Sequence, residues 1–349
     1  VLGNLQTSFR LLGDYDAPRL MGIDVHLQKA QEVDLKITGS VKNLAEFEGL
    51  NLQFSGESTN PEVLSWLMFD QQDHMQTVQL SGVIIGGIED LLFHDINALV
   101  KTTTGLILEA NGVAELHPET YNLGKIDAGL NLSFSAPDTH AVNLLNIANI
   151  PDIGPLSTQM ALAFSKDAVA IYNLKLDAGH PNEKRLQLKG DIGSIYFKQD
   201  QTLSELNLQA ILESSSIATL GELFDTELPE LGPAQLQATL KTRGSQIQLE
   251  NAQLKAGTKE RLRLEATGSL AANLHAPDID NIVADLDVIL RGADIAQLNS
   301  LAKLDLPDLG PLRLRGNLVV NKSIIAMERT NLIIGTDETT RLLATGRLG

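Results

Sequence analysis

The 349-residue sequence contains no cysteine. Disulfides, thiolate nucleophiles and cysteine-ligated metals are thereby excluded, while reducing and oxidising compartments both stay open. Aromatic residues are scarce, 4% against 43% hydrophobic overall, so the apolar surface is mostly aliphatic. Positive charge is short as well: 27 Lys and Arg face 44 Asp and Glu, the net charge is −17, and the linear sequence has no basic run or basic helix. Phosphates would be repelled, which disfavours nucleic acid and an anionic membrane surface as partners. No apolar run approaches the length of a membrane span, and the opening "VLGNLQTSFR" lacks a signal-peptide pattern. Beginning in mid-strand without Met, the sequence reads as a piece of a longer chain.

What the sequence does have is a period. "PDIGP" stands at 151–155, "PELGP" at 229–233 and "PDLGP" at 307–311, so 229 − 151 = 78 and 307 − 229 = 78. Under the same shift Gly112, Gly190, Gly268 and Gly346 fall in register, as do Gly179, Gly257 and Gly335. Asn60, Asp138, Ser216 and Asp294 also align, and all four are residue types that cap helices by accepting an orphan N–H. Duplication of one structural unit accounts for this pattern. It gives a single array with boundaries at 1–59 (partial), 60–137, 138–215, 216–293 and 294–349 (partial), the first without its helix and offset by about five residues around Gly39.

Each capping residue opens a short amphipathic segment, such as "IATLGELFDTEL" from Ile217, where Ile217, Leu220, Phe224 and Leu228 recur at helical spacing. The Gly-Pro motif then stops the helix and starts a strand. Beyond it the period changes from 3.6 to 2: Ala234, Leu236, Ala238 and Leu240 alternate with polar residues, as do Ile247 and Leu249, then Leu262, Leu264 and Ala266, then Ala284, Leu286, Val288 and Leu290. Hairpin-length links at Gly244-Ser245 and 257–260 make neighbouring strands antiparallel. The expected fold is mainly β, an elongated antiparallel sheet array with one short helix per repeat of about 78 residues. Nineteen strands in one sheet would extend roughly 90 Å.

Such a sheet makes more apolar surface than its helices cover. Four strands of about ten residues present a face of about 600 Å², whereas a ten-residue helix covers about 150 Å². A patch of that size is either folded against itself or is a binding surface. A sheet that curls without closing becomes a groove, aliphatic inside and polar outside, suited to acyl chains. A dry, self-packed sandwich is the alternative.

The helix, the Pro-x-Leu-Gly-Pro stop, the hairpin "LQLQATLKTRGSQIQLENAQLKAG" and the strand "LRLEATGSL" resemble the repeats of the AsmA-like family, which includes TamB- and YhdP-type bridge-like lipid transfer proteins. The resemblance spans essentially the whole chain and is clearest over 138–349. It is architectural and carries no catalytic motif. It implies a taco-like β-groove in the periplasm of a Gram-negative envelope, anchored to the inner membrane by a part of the chain outside this sequence. Phospholipid would be the cargo, moving between inner and outer membranes, with outer-membrane or periplasmic proteins as further partners and no cofactor. The lining expected on this reading comprises Leu52, Phe54, Leu130, Leu132, Leu208 and Leu236, continued by Leu240, Leu249, Leu264, Leu286 and Leu290. The rival reading is a self-packed structural scaffold that binds other envelope proteins.

Motifs for chemistry are weak. Ser300 and Lys303 form an S-x-x-K pattern without its partner motifs. Asp278, Asp280, Asp285 and Asp287 lack the glycine and terminal glutamate of a calcium loop, and the last two alternate outward with Leu286 and Val288. The seven histidines are scattered with no metal-ligand spacing, and Trp66 among Val63, Leu64 and Leu67 reads as packing. The sequence therefore reads as non-enzymatic.

Overall fold

A computed structural model describes residues 3–29, 32–59, 75–87, 90–116, 126–143, 152–165, 168–181, 183–196, 205–222, 230–243, 246–273, 282–299, 305–321, 324–336 and 341–348. Nineteen strands belong to one open antiparallel sheet. The first nine are β1 (Asn4–Leu12), β2 (Arg19–Lys29), β3 (Val33–Asn43), β4 (Glu48–Ser58), β5 (Met75–Gly86), β6 (Leu91–Thr102), β7 (Ile107–Leu116), β8 (Ile126–Ala136) and β9 (Leu156–Ser165). The remainder are β10 (Ala168–Gly179), β11 (Lys184–Tyr196), β12 (Leu206–Ser214), β13 (Ala234–Arg243), β14 (Gln246–Gly257), β15 (Leu262–Asn273), β16 (Val283–Gly292), β17 (Leu312–Asn321), β18 (Ile324–Ile334) and β19 (Leu342–Leu348). The alternating stretches of the sequence fall on these strands, and consecutive strands pair antiparallel as short links require.

The chain divides into two compact units, Val1–Lys175 with Gly193–Thr202, and Leu176–Ile192 with Leu203–Gly349. In the first, each strand from β1 to β9 pairs with its successor. In the second, the ladder runs from β11 to β19 in the same manner. Every residue of β1 is exposed, including Leu5, Phe9, Leu11 and Leu12.

Among the described residues helix is almost absent. The described pieces are α1 (His140–Asn143), α2 (Ile217–Glu222) and a 3₁₀ turn at Ile295–Leu298. These are shorter than the expected ten residues, and the rest of each segment, with Asn60, Trp66, Ser300 and Lys303, lies outside the described residues. The caps themselves are formed. Asp138 Oδ1 accepts from the Ala141 N–H (2.9 Å), Ser216 Oγ from the Ala218 N–H (3.1 Å) and Asp294 Oδ1 from the Ala296 N–H (2.7 Å).

The Gly-Pro motifs close each of these segments against the sheet. Strands β9, β13 and β17 begin directly after them, at Leu156, Ala234 and Leu312. The Ile217 N–H donates to the Gly232 carbonyl (2.9 Å), and the Ile295 N–H to that of Gly310 (3.0 Å). The acidic residue of the first two motifs also ties back to the start of its segment: Thr139 Oγ1, next to the Asp138 cap, donates to Asp152 (3.3 Å), and the Ser216 cap Oγ donates to Glu230 (2.6 Å). At the third position two carboxyls meet. The hydrogen bond with Asp308 raises the pKa of Asp294, and the same bond lowers that of Asp308, whose Oδ1 also takes the Gly310 N–H.

Strands β6, β10, β14 and β18 share a left-handed residue that simple alternation does not require. Asp95, Asn173, Asn251 and Arg329 have φ of 52°, 53°, 53° and 51°, and 173 − 95, 251 − 173 and 329 − 251 are all 78. The registers shift beside three of them, between Phe93 and Ile96, Leu249 and Ala252, and Met327 and Thr330. These are β-bulges, each of which inserts an extra residue, bends its strand and increases the local twist.

Candidate functional site

Alternation places the residues of interest on one face of the sheet in each unit. In the first unit Leu52 and Phe54 are neighbours on the apolar face of β4. Leu52 continues across the strands to Ile84, Phe93, Ala114, Ala128 and Phe164, each directly opposite the next. The Phe54 ring covers Gly82 so closely that a Cβ there would lie 2.9 Å from it. On β8, Leu130 stands between Gly112 and Leu162, and Leu132 between Ala110 and Met160.

In the second unit the rows are more continuous. Leu208, Leu240, Leu249, Leu270, Ala284, Val320 and Ile325 are successive cross-strand partners. Leu236 lies between Leu212 and Leu254, Leu264 opposite Leu290, and Leu286 between Gly268 and Leu318. The even positions of β16 carry this apolar face, and Asp285 and Asp287 point to the other, where both are exposed. Asn317 Nδ2 donates to Asp285 at 2.7 Å.

Covering of the face is uneven along the strands. Leu231 from the Gly-Pro motif and Ile295 from the 3₁₀ turn pack on Ala234, Ala256, Leu262, Leu312 and Ile334, and Leu212, Leu264, Leu290 and Leu332 lean on that cluster. This is the strand end from which the capping segments depart. Leu240, Leu249, Leu270 and Leu286, farther along the same strands, are outside it. Of the eleven expected lining residues Leu208 alone is buried, and the other ten are half-buried. An aliphatic face with this exposure has room to gain from further burial, at about 25 cal/mol per Å².

The opposite face is polar and holds shallow recesses. One of about 720 Å³ over the first unit is lined by His26, Lys36, Ser81, Asn97, Glu109 and Asn111 among others. There His26 and Asp34 are hydrogen-bonded at 2.9 Å. In the second unit Arg185 makes a bidentate pair with Asp177, Nε to Oδ1 at 2.9 Å and Nη2 to Oδ2 at 2.6 Å. The Arg185 hydrogen bond holds the Asp177 pKa below its ordinary value, with Gln187 adding a further donor. Among the described residues no group of three or more His, Asp or Glu is placed to hold a metal ion, and no helix is long and apolar enough to cross a membrane.

The polar face also gathers charge that the linear sequence scatters. Arg263, Arg291 and Arg313 are direct cross-strand partners on β15, β16 and β17, with Arg315 two residues along from Arg313. No family model matches the chain, and comparison with curated proteins yields no match.

Proposed function

We propose that the chain is a non-enzymatic segment of a lipid conduit, in which phospholipid acyl chains lie along the apolar face and headgroups stay in water. The observation that carries this reading is the partial exposure of ten aliphatic or aromatic side chains, all on the apolar face of their strands. Acyl chains need continuous apolar lining and few polar anchors, and the row from Leu208 through Leu240, Leu249 and Leu270 supplies such a lining across neighbouring strands. Sliding requires no bond to be made or broken, so no residue has a catalytic role. On this reading the 78-residue period is a repeat, the bulges and register glycines curl the sheet into a groove, and the chain works between the membranes of a Gram-negative envelope. These placements agree with the resemblance to AsmA-like repeats.

A packed cluster around Leu231 and Ile295 favours the second reading at one strand end, because it is what a self-packed scaffold would extend along the whole face. Native mass spectrometry with lipid extraction of the purified chain separates the two. Co-purifying phospholipid in stoichiometric amount is expected. Material that repeatedly carries none, while remaining folded, would leave the scaffold reading in its place.

A further inference from the structure

Folding places like charges side by side on the polar face of the second unit, opposite the apolar rows. Arg263, Arg291 and Arg313 stand in register on adjacent strands. Adjacent strands are about 4.8 Å apart and directly opposed like charges destabilise a sheet, so the fold alone gives no reason for this row. Next to it, over Gly257, is a recess of about 650 Å³ whose lining includes Lys255, Lys259, Arg263, Thr258, Ser215 and Glu213. Gly257 is the direct cross-strand partner of Arg263, and with φ of 85° and the Leu262 carbonyl oxygen 1.9 Å from where a Cβ would sit it must be glycine, so Lys255 and Arg263 are the side chains that rim the recess there.

The balance of partners is one-sided. Arg263 pairs with Glu265 at 2.6 Å, and Glu213 accepts a hydrogen bond from Gln235 at 2.9 Å. Lys255, Lys259, Arg291 and Arg313 make no ion pair or side-chain hydrogen bond among the described residues, and all four are exposed. The recess thus has three cations against one carboxylate, on a chain whose net charge is −17. An acidic molecule that sets two unpaired ammonium groups, Lys255 and Lys259, around a hydroxyl-bearing hollow, with the unpaired guanidinium groups of Arg291 and Arg313 in line beyond Arg263, is built to hold an anion.

We propose that this surface is a binding site for a phosphate-monoester group, held by Lys255, Lys259 and Arg263 in the recess over Gly257 and continued along the sheet by Arg291 and Arg313. A dianion with three acceptor oxygens suits several cations at strand spacing, and guanidinium forks present paired donors to such oxygens. Ser215 and Thr258 supply neutral hydroxyl donors. The group can belong to a soluble metabolite or to a lipid headgroup. The proposal does not depend on the conduit reading, since the site is on the other face.

Isothermal titration of the whole chain with glycerol 3-phosphate, beside co-sedimentation with phosphatidylcholine vesicles containing phosphatidic acid, tests it. Saturable, salt-sensitive binding is expected. The double substitution Lys255→Gln with Arg291→Gln should weaken it by about tenfold or more, and Lys36→Gln in the first unit should leave it unchanged. Vesicle binding lost in the double variant assigns the headgroup as source, whereas glycerol 3-phosphate binding without vesicle binding assigns a soluble ligand. No saturable binding to either probe, or binding indifferent to the double substitution, overturns the proposal.

Discussion

Gly268 on β15 stands directly opposite Leu286 on β16, with φ of 154°, and a Cβ built on it would fall 2.0 Å from the Asp285 carbonyl oxygen. Both the backbone angle and the contact demand glycine. Gly39, Gly112 and Gly190 stand in the same relation to Leu52, Leu130 and Leu208. Four expected lining leucines therefore each lie beside a side-chain-free position, and Gly39, Gly112 and Gly268 also oppose the residue that follows a register shift, Ile23, Ile96 and Ala252. Gly346, 78 residues after Gly268, has nothing within 4 Å and no such φ. The constraint thus comes from the next strand, not from β15 itself. Gly268→Ala should cost about 2 kcal/mol or more, and Gly346→Ala well under 1 kcal/mol, read as shifts in thermal midpoint. Equal shifts would remove the argument.

Arg329 occupies a left-handed bulge position that Asp95, Asn173 and Asn251 fill elsewhere. Asn and Asp tolerate this conformation because a short polar side chain can bond locally, whereas a long side chain gains nothing from it. Arg329→Asn should therefore stabilise the chain by about 0.5–1 kcal/mol, and Asn251→Ala should destabilise it by a similar amount. Urea unfolding of the two variants checks the opposite signs.

Period-2 patterning made the strands legible: Leu262, Leu264 and Ala266 can only alternate as they do on a half-covered sheet. The capping positions were legible too, since Asp138, Ser216 and Asp294 accept the N–H groups their residue types favour. The bulges had a signal that a simple alternation count passes over. Apolar residues step by three at Phe93 to Ile96, Ile171 to Leu174 and Leu249 to Ala252, where an extra residue must leave the ladder, while the equivalent step from Met327 ends on the buried Thr330. The arginine row had no local signal. Arg263, Arg291 and Arg313 are far apart in sequence, and only strand register brings them together.

The Asp177–Arg185 pair gives a pH dependence whose sign is fixed by the lowered carboxylate. A depressed folded pKa means that the pair contributes above the unfolded value, near the ordinary 3.8, and that the contribution is lost as pH falls through the lower folded value. The Asp177 side chain is 40% exposed, so solvent screening keeps the effect below about 1 kcal/mol. Asp177→Asn should be slightly less stable at neutral pH and should converge with the parent once the pH has fallen through the depressed Asp177 pKa. Melting curves across pH 2–7 measure this, and a constant gap would count against the pair.

A carboxylate introduced into the apolar face separates covering from cargo. Leu264 leans on the cluster built by Leu231 and Ile295, whereas Leu240 lies outside it in the row with Leu208 and Leu249. Leu264→Glu buries a charge against packed side chains and should cost about 3 kcal/mol or more through loss of that packing. Leu240 is half-buried and outside that cluster, so for Leu240→Glu the loss in thermal midpoint should be smaller, while a charge among acyl chains should strip co-purifying phospholipid. Lipid analysis and melting of both variants, side by side, give the discriminating pair of readouts. Should Leu240→Glu keep its full lipid complement, acyl chains do not lie where this row places them; should it unfold as readily as Leu264→Glu, the face is closed at that end and the scaffold is the better account.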